Sequence, residues 1–582
     1  MLLDGATIDG DLVARDVVAD RIRLVGARLH GDLDLTDGRL DTPDDDALDL
    51  DRATINGDLL ARTLTVSGRI YLGSARLHGG LYLSGARLTN ENSEVLNLDG
   101  ALIEGSVFAR EAVTTGEARL PGARIGGQLV LDDAQLTNPD GDALDLDHAA
   151  IGGGLFARNL TVSGQVRLPS ARIDGQFVLT SAQLTSPGAT ALDLDRATID
   201  DNLFAWNTTI TGQVQLSGAR IGGHLNLSGT KLTNKKGEAL ILDGATIGGD
   251  LLLNEGFTAL GQVRLHGVHI GGRLDLSEAR LTNPHSTALG LDNATVGGDL
   301  LADRGFATNG EVCLYRARIG GRLDLVNAWL SNPGRTALNL TETQAAHLVL
   351  FPHPKSRGVI NLRDARVGRF VDDPRRWPEA CRIDLDGFRY ERLSRLPGST
   401  SPACSIEKRL AWMRDYTLTT QLPGTAPKSR AEFLPDPYEQ LAAALRRDGQ
   451  ERQARLVSRE RERLRHRTLG PLGRLWGAIQ RWTVGYGYQP ARVLVWVLGV
   501  LTAGTLYFAG VGPLPSVRPD EQLAWDPFLY TLDLVVPLLD LGHEKAWDPV
   551  GWHQGIAVLF LLVGWMLVVS VAAGIGRVLR RP

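Results

Sequence analysis

Residues 47–88 read ALDLDRATINGDLLARTLTVSGRIYLGSARLHGGLYLSGARL, and the spacing of their apolar side chains decides the fold. Apolar or small residues recur at steps of two, three, two and four, a rhythm that repeats every 11 residues. Residues two apart share one side of a β-strand, so the wider steps must be corners. Gly57, Gly68 and Gly79 lie at these corners, and glycine adopts positive φ without steric cost. The pattern predicts a four-sided coil of about 22 residues, stacked at roughly 4.8 Å on its neighbours.

A longer repeat is superimposed on this rhythm. The segment Ala47–Asp51 returns every 48 or 49 residues, at Val95, Ala143, Ala191, Ala239, Ala288 and Ala337. Two coils account for most of each repeat, and the four or five residues left over are rich in Pro, Gly, Asn and Asp, which favour turns. Such repetition is typical of a solenoid. We therefore expect a row of protruding turns along one edge, accessible to a partner.

The tripeptides Ala53-Thr54-Ile55, Ala75-Arg76-Leu77 and Ala86-Arg87-Leu88 resemble the unit of the pentapeptide-repeat family, in which a small residue stands two positions before a central Leu. Leu48-Asp49-Leu50 and Leu81-Tyr82-Leu83 depart from that unit, and so does the extra residue at alternate corners. The resemblance implies a mostly β protein whose main part is a right-handed, four-sided β-solenoid. A triangular, bactofilin-like coil is the alternative.

The charge distribution divides the chain. Residues 1–350 carry 29 Lys and Arg against 44 Asp and Glu, a net charge of −15, whereas the rest carries +10 of the total of −5. An acidic body followed by a basic segment suggests different partners for the two parts. The three cysteines show no paired spacing, which argues against a disulfide framework.

The domain organisation follows from these changes in composition. We predict a solenoid closed by an aromatic cap over 1–393, a linker over 394–436, a basic juxtamembrane helical hairpin over 437–482 and membrane spans over 493–511 and 555–576. Each span is about 20 apolar residues, enough to cross a bilayer. The arginines predicted to contact anionic lipid headgroups are Arg446, Arg447, Arg452, Arg455, Arg459, Arg463 and Arg467. Nucleic acid is a less simple explanation of this arginine-rich segment than anionic lipid, because apolar spans follow the segment.

The same charges predict the orientation. Arginines precede the first span and follow the second, and the loop between the spans is acidic. The positive-inside rule then puts both termini, and with them the solenoid, on the cytoplasmic side of the cell membrane.

Residues 528–541 are apolar but too short to span, and lie between the two spans. We interpret them as an interfacial helix on the outer surface. The alternative is a re-entrant pore helix, in which Asp533 and Asp540 would face the lumen of a homo-oligomer. Residues 483–487 spell the potassium-channel filter TVGYG, but they precede the first span, so we interpret the match as coincidence.

An aspartate column on the solenoid invites a calcium site, because Ca²⁺ prefers carboxylate oxygens. Equivalent residues are two coils, or about 9.6 Å, apart, too far to share an ion. We therefore expect each to accept backbone hydrogen bonds at its corner, as in an Asx-turn. The column consists of Asp4, Asp51, Asp99, Asp147, Asp195, Asp243 and Asp292.

The order of solenoid, basic hairpin, Gly485–Pro490 and two spans is similar to a group of bacterial membrane proteins often labelled membrane-associated oxidoreductases. The residues themselves supply no support for that label. A dinucleotide site needs glycines before a helix, whereas the pairs Gly126-Gly127 and Gly222-Gly223 lie at solenoid corners. We find no catalytic, cofactor-binding or metal-ligating motif.

The sequence therefore predicts a non-enzymatic, membrane-anchored scaffold whose acidic solenoid binds an unidentified protein partner or a second copy. The alternatives are a ligand- or tension-gated ion channel, an acidic DNA mimic, as in some pentapeptide-repeat proteins, and an oxidoreductase, as the label of the similar group suggests.

Overall fold

The computed structural model describes residues 1–394, 404–417, 434–468, 491–517, 524–536 and 539–579. The chain divides into two compact units, Met1–Pro427 and Lys428–Pro582. The first unit is the solenoid and the second is helical.

The solenoid has 17 coils of parallel strands, and each coil has four sides. Sides 1 and 2 are separate two-residue strands in the first 13 coils and merge into one strand in the last four. Side 1 consists of Thr7–Ile8, Arg28–Leu29, Thr54–Ile55, Arg76–Leu77, Leu102–Ile103, Arg124–Ile125, Ala150–Ile151, Arg172–Ile173, Thr198–Ile199, Arg220–Ile221, Thr246–Ile247, His269–Ile270 and Thr295–Val296. Side 2 consists of Leu12–Val13, Leu33–Asp34, Leu59–Leu60, Leu81–Tyr82, Val107–Phe108, Leu129–Val130, Leu155–Phe156, Phe177–Val178, Leu203–Phe204, Leu225–Asn226, Leu251–Leu252, Leu274–Asp275 and Leu300–Leu301. The merged strands are Arg318–Val326, Gln344–Phe351, Arg366–Asp372 and Arg389–Ser394.

Sides 3 and 4 form a second sheet. Within its strands the register shifts at a corner, for example between Ser67 and Ile70, which separates the two sides. Its strands are Val18–Ala19, Ile22–Arg23, Arg39–Asp49, Thr65–Tyr71, Arg87–Asn97, Val113–Arg119, Gln135–Asp145, Thr161–Arg167, Gln183–Asp193, Thr209–Gln215, Lys231–Ile241, Thr258–Arg264, Arg280–Gly290, Ala307–Cys313, Trp329–Asn339, Arg357–Asn361 and Cys381–Asp384. The prediction of a four-sided solenoid is confirmed, and the triangular alternative is wrong.

The strand register confirms the predicted repeat of two coils. Thr54 pairs with Arg76 and Arg76 with Leu102, so successive coils contain 22 and 26 residues. The inward side chains are almost all Leu, Ile, Val and Ala, and they are buried in an unbroken core that runs along the solenoid. Because each coil covers its neighbour's apolar side chains, the core grows with the number of coils.

The corner glycines have two different roles. Gly68 has φ of 116°, as predicted. Gly57 and Gly79 do not have positive φ, and here the explanation from φ is wrong. A Cβ at either position would collide with an aspartate of the preceding coil, Asp32 or Asp58, whose carboxylates accept hydrogen bonds from the backbone of the coil above. Glycine is needed at these two corners because it leaves room for that carboxylate.

The longer coils carry protruding turns at the corner between sides 3 and 4, as predicted. Asn138 closes one turn by donating from Nδ2 to the carbonyl of Asp142 (2.8 Å). Gly164, in the coil above, lies against that turn with φ of 123°. A Cβ there would collide with the carbonyl oxygen of Asn138. The equivalent glycines occur once per two coils, so a turn-bearing coil is always followed by a coil that accommodates it. They are Gly68, Gly116, Gly164, Gly212, Gly261, Gly310 and Gly358.

A helix caps the C-terminal end of the solenoid. The helix α1 (Ile406–Tyr416) lies within the segment predicted to be a linker, so that prediction is wrong for these residues. Arg409 of α1 donates two hydrogen bonds to Asp372 (2.7 and 3.0 Å), and both side chains are buried. Trp412 packs edge-on against Trp377, which follows the short 3₁₀ helix Pro374–Arg376. The aromatic cap is thus present, and part of the supposed linker completes it.

The second unit begins with the helical hairpin that the sequence predicts. Its helices are α2 (Asp436–Arg447) and α3 (Glu451–Thr468), and Gly449 turns the chain between them with φ of 75°. Leu441 and Leu445 of α2 and Val457 of α3 are buried. The predicted residues 469–482, and the filter-like residues 483–487, lie outside the described part of the chain.

The remaining helices are α4 (Ala491–Val511), α5 (Pro527–Val535), α6 (His543–Ala546) and α7 (Trp552–Leu579). α4 and α7 include the two predicted spans. α5 ends at Val535, so the predicted helix over 528–541 is too long; Val536 precedes a proline and the α conformation is disfavoured there. By length and composition, one stretch of α7, Trp552–Val569, could cross a membrane, and Val495–Val511 is a shorter apolar helix.

The short helix α5 packs between the two long ones. Tyr530 contacts the ring of Phe508 edge-on (centroids 4.9 Å apart). Gly504 of α4 faces Thr531, and Gly564 of α7 faces the carbonyl oxygen of Val535, and a Cβ on either glycine would collide with its neighbour. Small residues on the long helices therefore allow α5 to approach both backbones.

Candidate interaction surfaces

An outward-facing column on side 2 is unusually apolar. Leu81 and Leu83 are buried in the core, so Tyr82 between them points outward, where it stacks on Phe108 of the next coil (5.3 Å). The column continues coil by coil over about 29 Å. We name it the aromatic stripe, and its members are Leu60, Tyr82, Phe108, Val130, Phe156, Val178 and Phe204. Val130 and Val178 are covered by their neighbours (1% and 6% exposed), and the other five side chains are half-buried.

Arginines border the aromatic stripe. Arg62 lies over the ring of Tyr82 (4.5 Å from the centroid) and Arg158 over that of Phe156 (5.0 Å). Trp206 occupies the corresponding place beside Phe204 and is 47% exposed. Beyond this stretch the column loses its aromatic side chains, and polar residues alternate with leucine (Asn226, Leu252, Asp275 and Leu301). Aromatic side chains together with arginine are the composition that binding hot spots favour.

The sequence contains a signal for this stripe that the spacing analysis missed. When the residues before and after a strand residue are both buried, that residue faces outward. In a run of three apolar residues, the middle one therefore lies on the outer face. Leu155-Phe156-Ala157 and Leu203-Phe204-Ala205 are such triplets. The core pattern accounts for the first and third residues of each triplet and not for the second.

Three members of the predicted aspartate column, Asp4, Asp195 and Asp243, accept backbone hydrogen bonds, but not in the predicted manner. Asp195 accepts from the backbone N–H of Ser217 (2.9 Å) and Asp243 from that of His266 (3.1 Å), each in the coil above. The Asx-turns are made by a residue two positions earlier, where Asp193 accepts from the N–H of Asp195 (3.0 Å). Burial raises the pKa of Asp193, because the folded chain removes water from that carboxylate. These aspartates therefore link coils and close corners, and among the described residues no group of His, Cys, Asp or Glu could hold a metal ion.

The predicted lipid-contacting arginines of the hairpin are mostly exposed. Arg446, Arg447, Arg452, Arg455 and Arg463 are exposed, and Arg459 is half-buried. Several are next to carboxylates: Arg455 lies 3.4 Å from Glu451 and Arg463 lies 3.4 Å from Glu460. Such pairs reduce the effective charge of the helix. The side chain of Arg467 lies outside the described part.

The two loop aspartates have different surroundings. Asp533 is buried, and its carboxylate accepts hydrogen bonds from the backbone N–H of Leu541 (2.9 Å) and of Glu544 (2.8 Å). Asp540 is 69% exposed and pairs with Lys545. Within one chain, Asp533 therefore fastens the segment after α5 to that helix, and Asp540 lies at the surface.

No protein-family model matches this chain, and no curated protein matches it either. Several solved structures match it, among them the following two. One is QnrB1, a plasmid-mediated fluoroquinolone resistance protein, which is 13% identical over 47% of this chain and 92% of its own, with a TM-score of 0.13. The other is HetL, a pentapeptide repeat protein involved in heterocyst differentiation regulation from the cyanobacterium Nostoc sp. strain PCC 7120, which is 16% identical over 60% of this chain and 90% of its own, with a TM-score of 0.12. The likeness concerns the fold alone.

Proposed function

We propose that this protein is a membrane-anchored scaffold, in which α4 and α7 hold the chain in the bilayer and the aromatic stripe of the solenoid binds a protein partner. The stripe is the observation that carries the proposal. Its large side chains are only half-buried, although Val130 and Val178 between them are covered, and partly exposed aromatic rings beside arginine are typical of interaction sites.

The chemistry of the stripe describes its partner. Rings of Tyr82, Phe108 and Phe156 would receive apolar side chains, and Arg62 would receive a carboxylate at the margin, whereas Arg110 already lies 4.0 Å from Asp132. Arg158 already contacts Asp132 (3.1 Å), so it contributes less free charge. The partner is therefore a polypeptide that presents apolar residues flanked by acidic ones.

The anchoring part of the proposal rests on the outer surface of the long helices. The stretch Trp552–Val569 is only 17% buried, although it is apolar from Gly555 onward, and Leu506 of α4 is 69% exposed. In a soluble protein such a helix would be covered by others. A bilayer would cover these side chains, and the arginines on either side of the two helices favour cytoplasmic termini.

Two measurements test the proposal. The full-length protein should stay in the membrane fraction after an alkaline wash, and a variant lacking 552–579 should be released. A photo-crosslinking residue in place of Phe156 should capture one defined protein in native membranes, and the capture should fall when Phe108→Thr is added. Leu252→Thr, in the same column outside the stripe, is the matched control and should have no effect. Release of the intact protein by the wash contradicts the anchoring, and equal capture with Phe108→Thr contradicts the docking surface.

A further inference from the structure

The last four coils differ from the rest in the strands of sides 1 and 2. In earlier coils, corners such as Gly222-Gly223 separate side 1 from side 2. In the strands Arg318–Val326, Gln344–Phe351, Arg366–Asp372 and Arg389–Ser394 the two sides are one continuous strand. At this end of the solenoid the strand pairing therefore continues through the corner between sides 1 and 2.

On these merged strands, arginine and histidine side chains lie opposite each other in neighbouring coils. Arg366 pairs in register with Arg389, and Arg369 pairs in register with both His347 and Arg392. Adjacent strands are about 4.8 Å apart. We name this surface the basic end patch, and its members are Arg318, Arg322, His347, Arg366, Arg369, Arg389 and Arg392.

Earlier coils avoid such stacking. On side 1, Arg76 has Thr54 below it and Leu102 above it, and Arg220 lies between Thr198 and Thr246. Arginines there are therefore two coils apart. Like charges directly opposite each other destabilise a sheet, so the stacked arginines cost the solenoid stability in the absence of an anion.

Few carboxylates neutralise the patch. Arg322 lies 3.4 Å from Asp324, and Glu391 lies on the last strand. Among the described residues, Arg318, Arg366 and Arg369 are exposed and have no carboxylate partner. This contrasts with the net charge of −15 over residues 1–350.

We propose that the basic end patch binds anionic lipid headgroups, so that the C-terminal end of the solenoid lies on the membrane surface. Exposed arginines without carboxylate partners attract phosphates, and the apolar helices that follow later in the chain favour those of a lipid over those of a nucleic-acid duplex. Surface potential attracts arginines that lie close to anionic lipid. The apolar helices α4 and α7 follow in the chain, and the inference rests on the membrane anchoring proposed above.

The test uses the full-length protein in vesicles of phosphatidylcholine, with or without phosphatidylglycerol. A fluorophore on Gln344→Cys, which lies between Arg318 and Arg366, reports contact through quenching by a spin-labelled headgroup. Cys313→Ser, Cys381→Ala and Cys404→Ser remove the native thiols, and Thr161→Cys on side 3 is the remote label. We expect quenching at residue 344 only with phosphatidylglycerol, weakened by salt.

The variant Arg366→Glu/Arg369→Glu should lower the ratio of molecules whose basic end patch contacts the membrane to those whose patch does not. We expect a reduction of roughly fivefold or more for each arginine. Arg124→Glu/Arg220→Glu, which changes isolated arginines on the same side, is the matched control and should leave the quenching unchanged. Equal quenching with and without phosphatidylglycerol, or no effect of charge reversal, overturns the inference. A response to duplex DNA instead of phosphatidylglycerol also overturns it. Loss of the protein from alkaline-washed vesicles is a different result, because it contradicts the anchoring itself.

Discussion

At the scale of single residues, the acidic side chains of the solenoid differ in whether a partner compensates their burial. Glu238 lies 2.8 Å from Arg264 and is compensated. Glu311 lies on side 4, and burial raises its pKa, which a hydrogen bond with Asn339 opposes and the nearby Asp292 reinforces. Glu311 is therefore charged in a place that disfavours its charge.

Three other coils have glutamine at the position of Glu311, namely Gln165, Gln213 and Gln262. We predict that Glu311→Gln raises the free energy of unfolding at pH 7, because the folded state no longer holds a poorly solvated carboxylate. A raised pKa means that the folded state binds the proton more tightly than the unfolded state. The gain should therefore shrink as pH falls through the raised pKa and vanish below about pH 4, where glutamate is neutral in both states.

Urea denaturation at several pH values measures this effect. Glu238→Gln is the control with the opposite sign, because it removes one partner of an ion pair and should lower stability slightly at pH 7. A gain from Glu311→Gln that is the same at pH 4 and pH 7 would show that the carboxylate charge is not the cause.

Residue roles were predictable where they follow from spacing. The inward leucines and the positive φ of Gly68 follow from the 11-residue rhythm. The role of Gly57 does not, because it depends on Asp32, which is 25 positions earlier in sequence and one coil away in space. The exact partner of each aspartate in the column likewise depends on the neighbouring coil rather than on its own corner.

At the scale of elements, the segment around α5 shows how one carboxylate can hold a loop. Asp533 binds two backbone N–H groups from residues that follow the helix. We predict that Asp533→Ala destabilises the helical unit by about 3 kcal/mol, because two backbone N–H groups lose a charged, buried acceptor. Asp540→Ala removes only an exposed ion pair and should leave stability unchanged.

Thermal unfolding of the full-length protein in detergent, followed by size-exclusion chromatography, distinguishes the two variants. The pair of substitutions is matched in chemistry and differs in burial. Equal loss from both variants would mean that Asp540 has a partner outside one chain, as a pore-lining residue in a homo-oligomer would.

Elements were predictable to the extent that local sequence determines them. The helical hairpin and the apolar helices α4 and α7 follow from composition and turn signals. The helix α1 was missed because its position depends on burying Arg409 against Asp372 of the solenoid, a contact that no local pattern reveals. The predicted helix over 528–541 was too long because the prediction followed the apolar residues past Pro537 and did not end the helix there.

At the scale of the whole molecule, the fold was predictable because the repeat specifies it many times over. An error at one corner does not alter the arrangement that the other coils impose, as expected for a nearly one-dimensional architecture. The surfaces were less predictable. The aromatic stripe and the basic end patch arise from residues in successive coils, which only the register brings together.

The register also identifies the structural unit of the solenoid as two coils. A turn-bearing coil needs a glycine above it, as Asn138 needs Gly164, and that glycine occurs only in the turn-free coil. We predict that deleting residues 145–192, one complete repeat, leaves a folded solenoid that resists trypsin. Deleting residues 150–171, the turn-free coil alone, should be more harmful although fewer residues are lost, because it brings two turn-bearing coils together and removes Gly164. Limited proteolysis and urea denaturation of the two full-length variants measure the difference. If both deletions are tolerated equally, the single coil is the unit, and the alternation of coils has no role in stability.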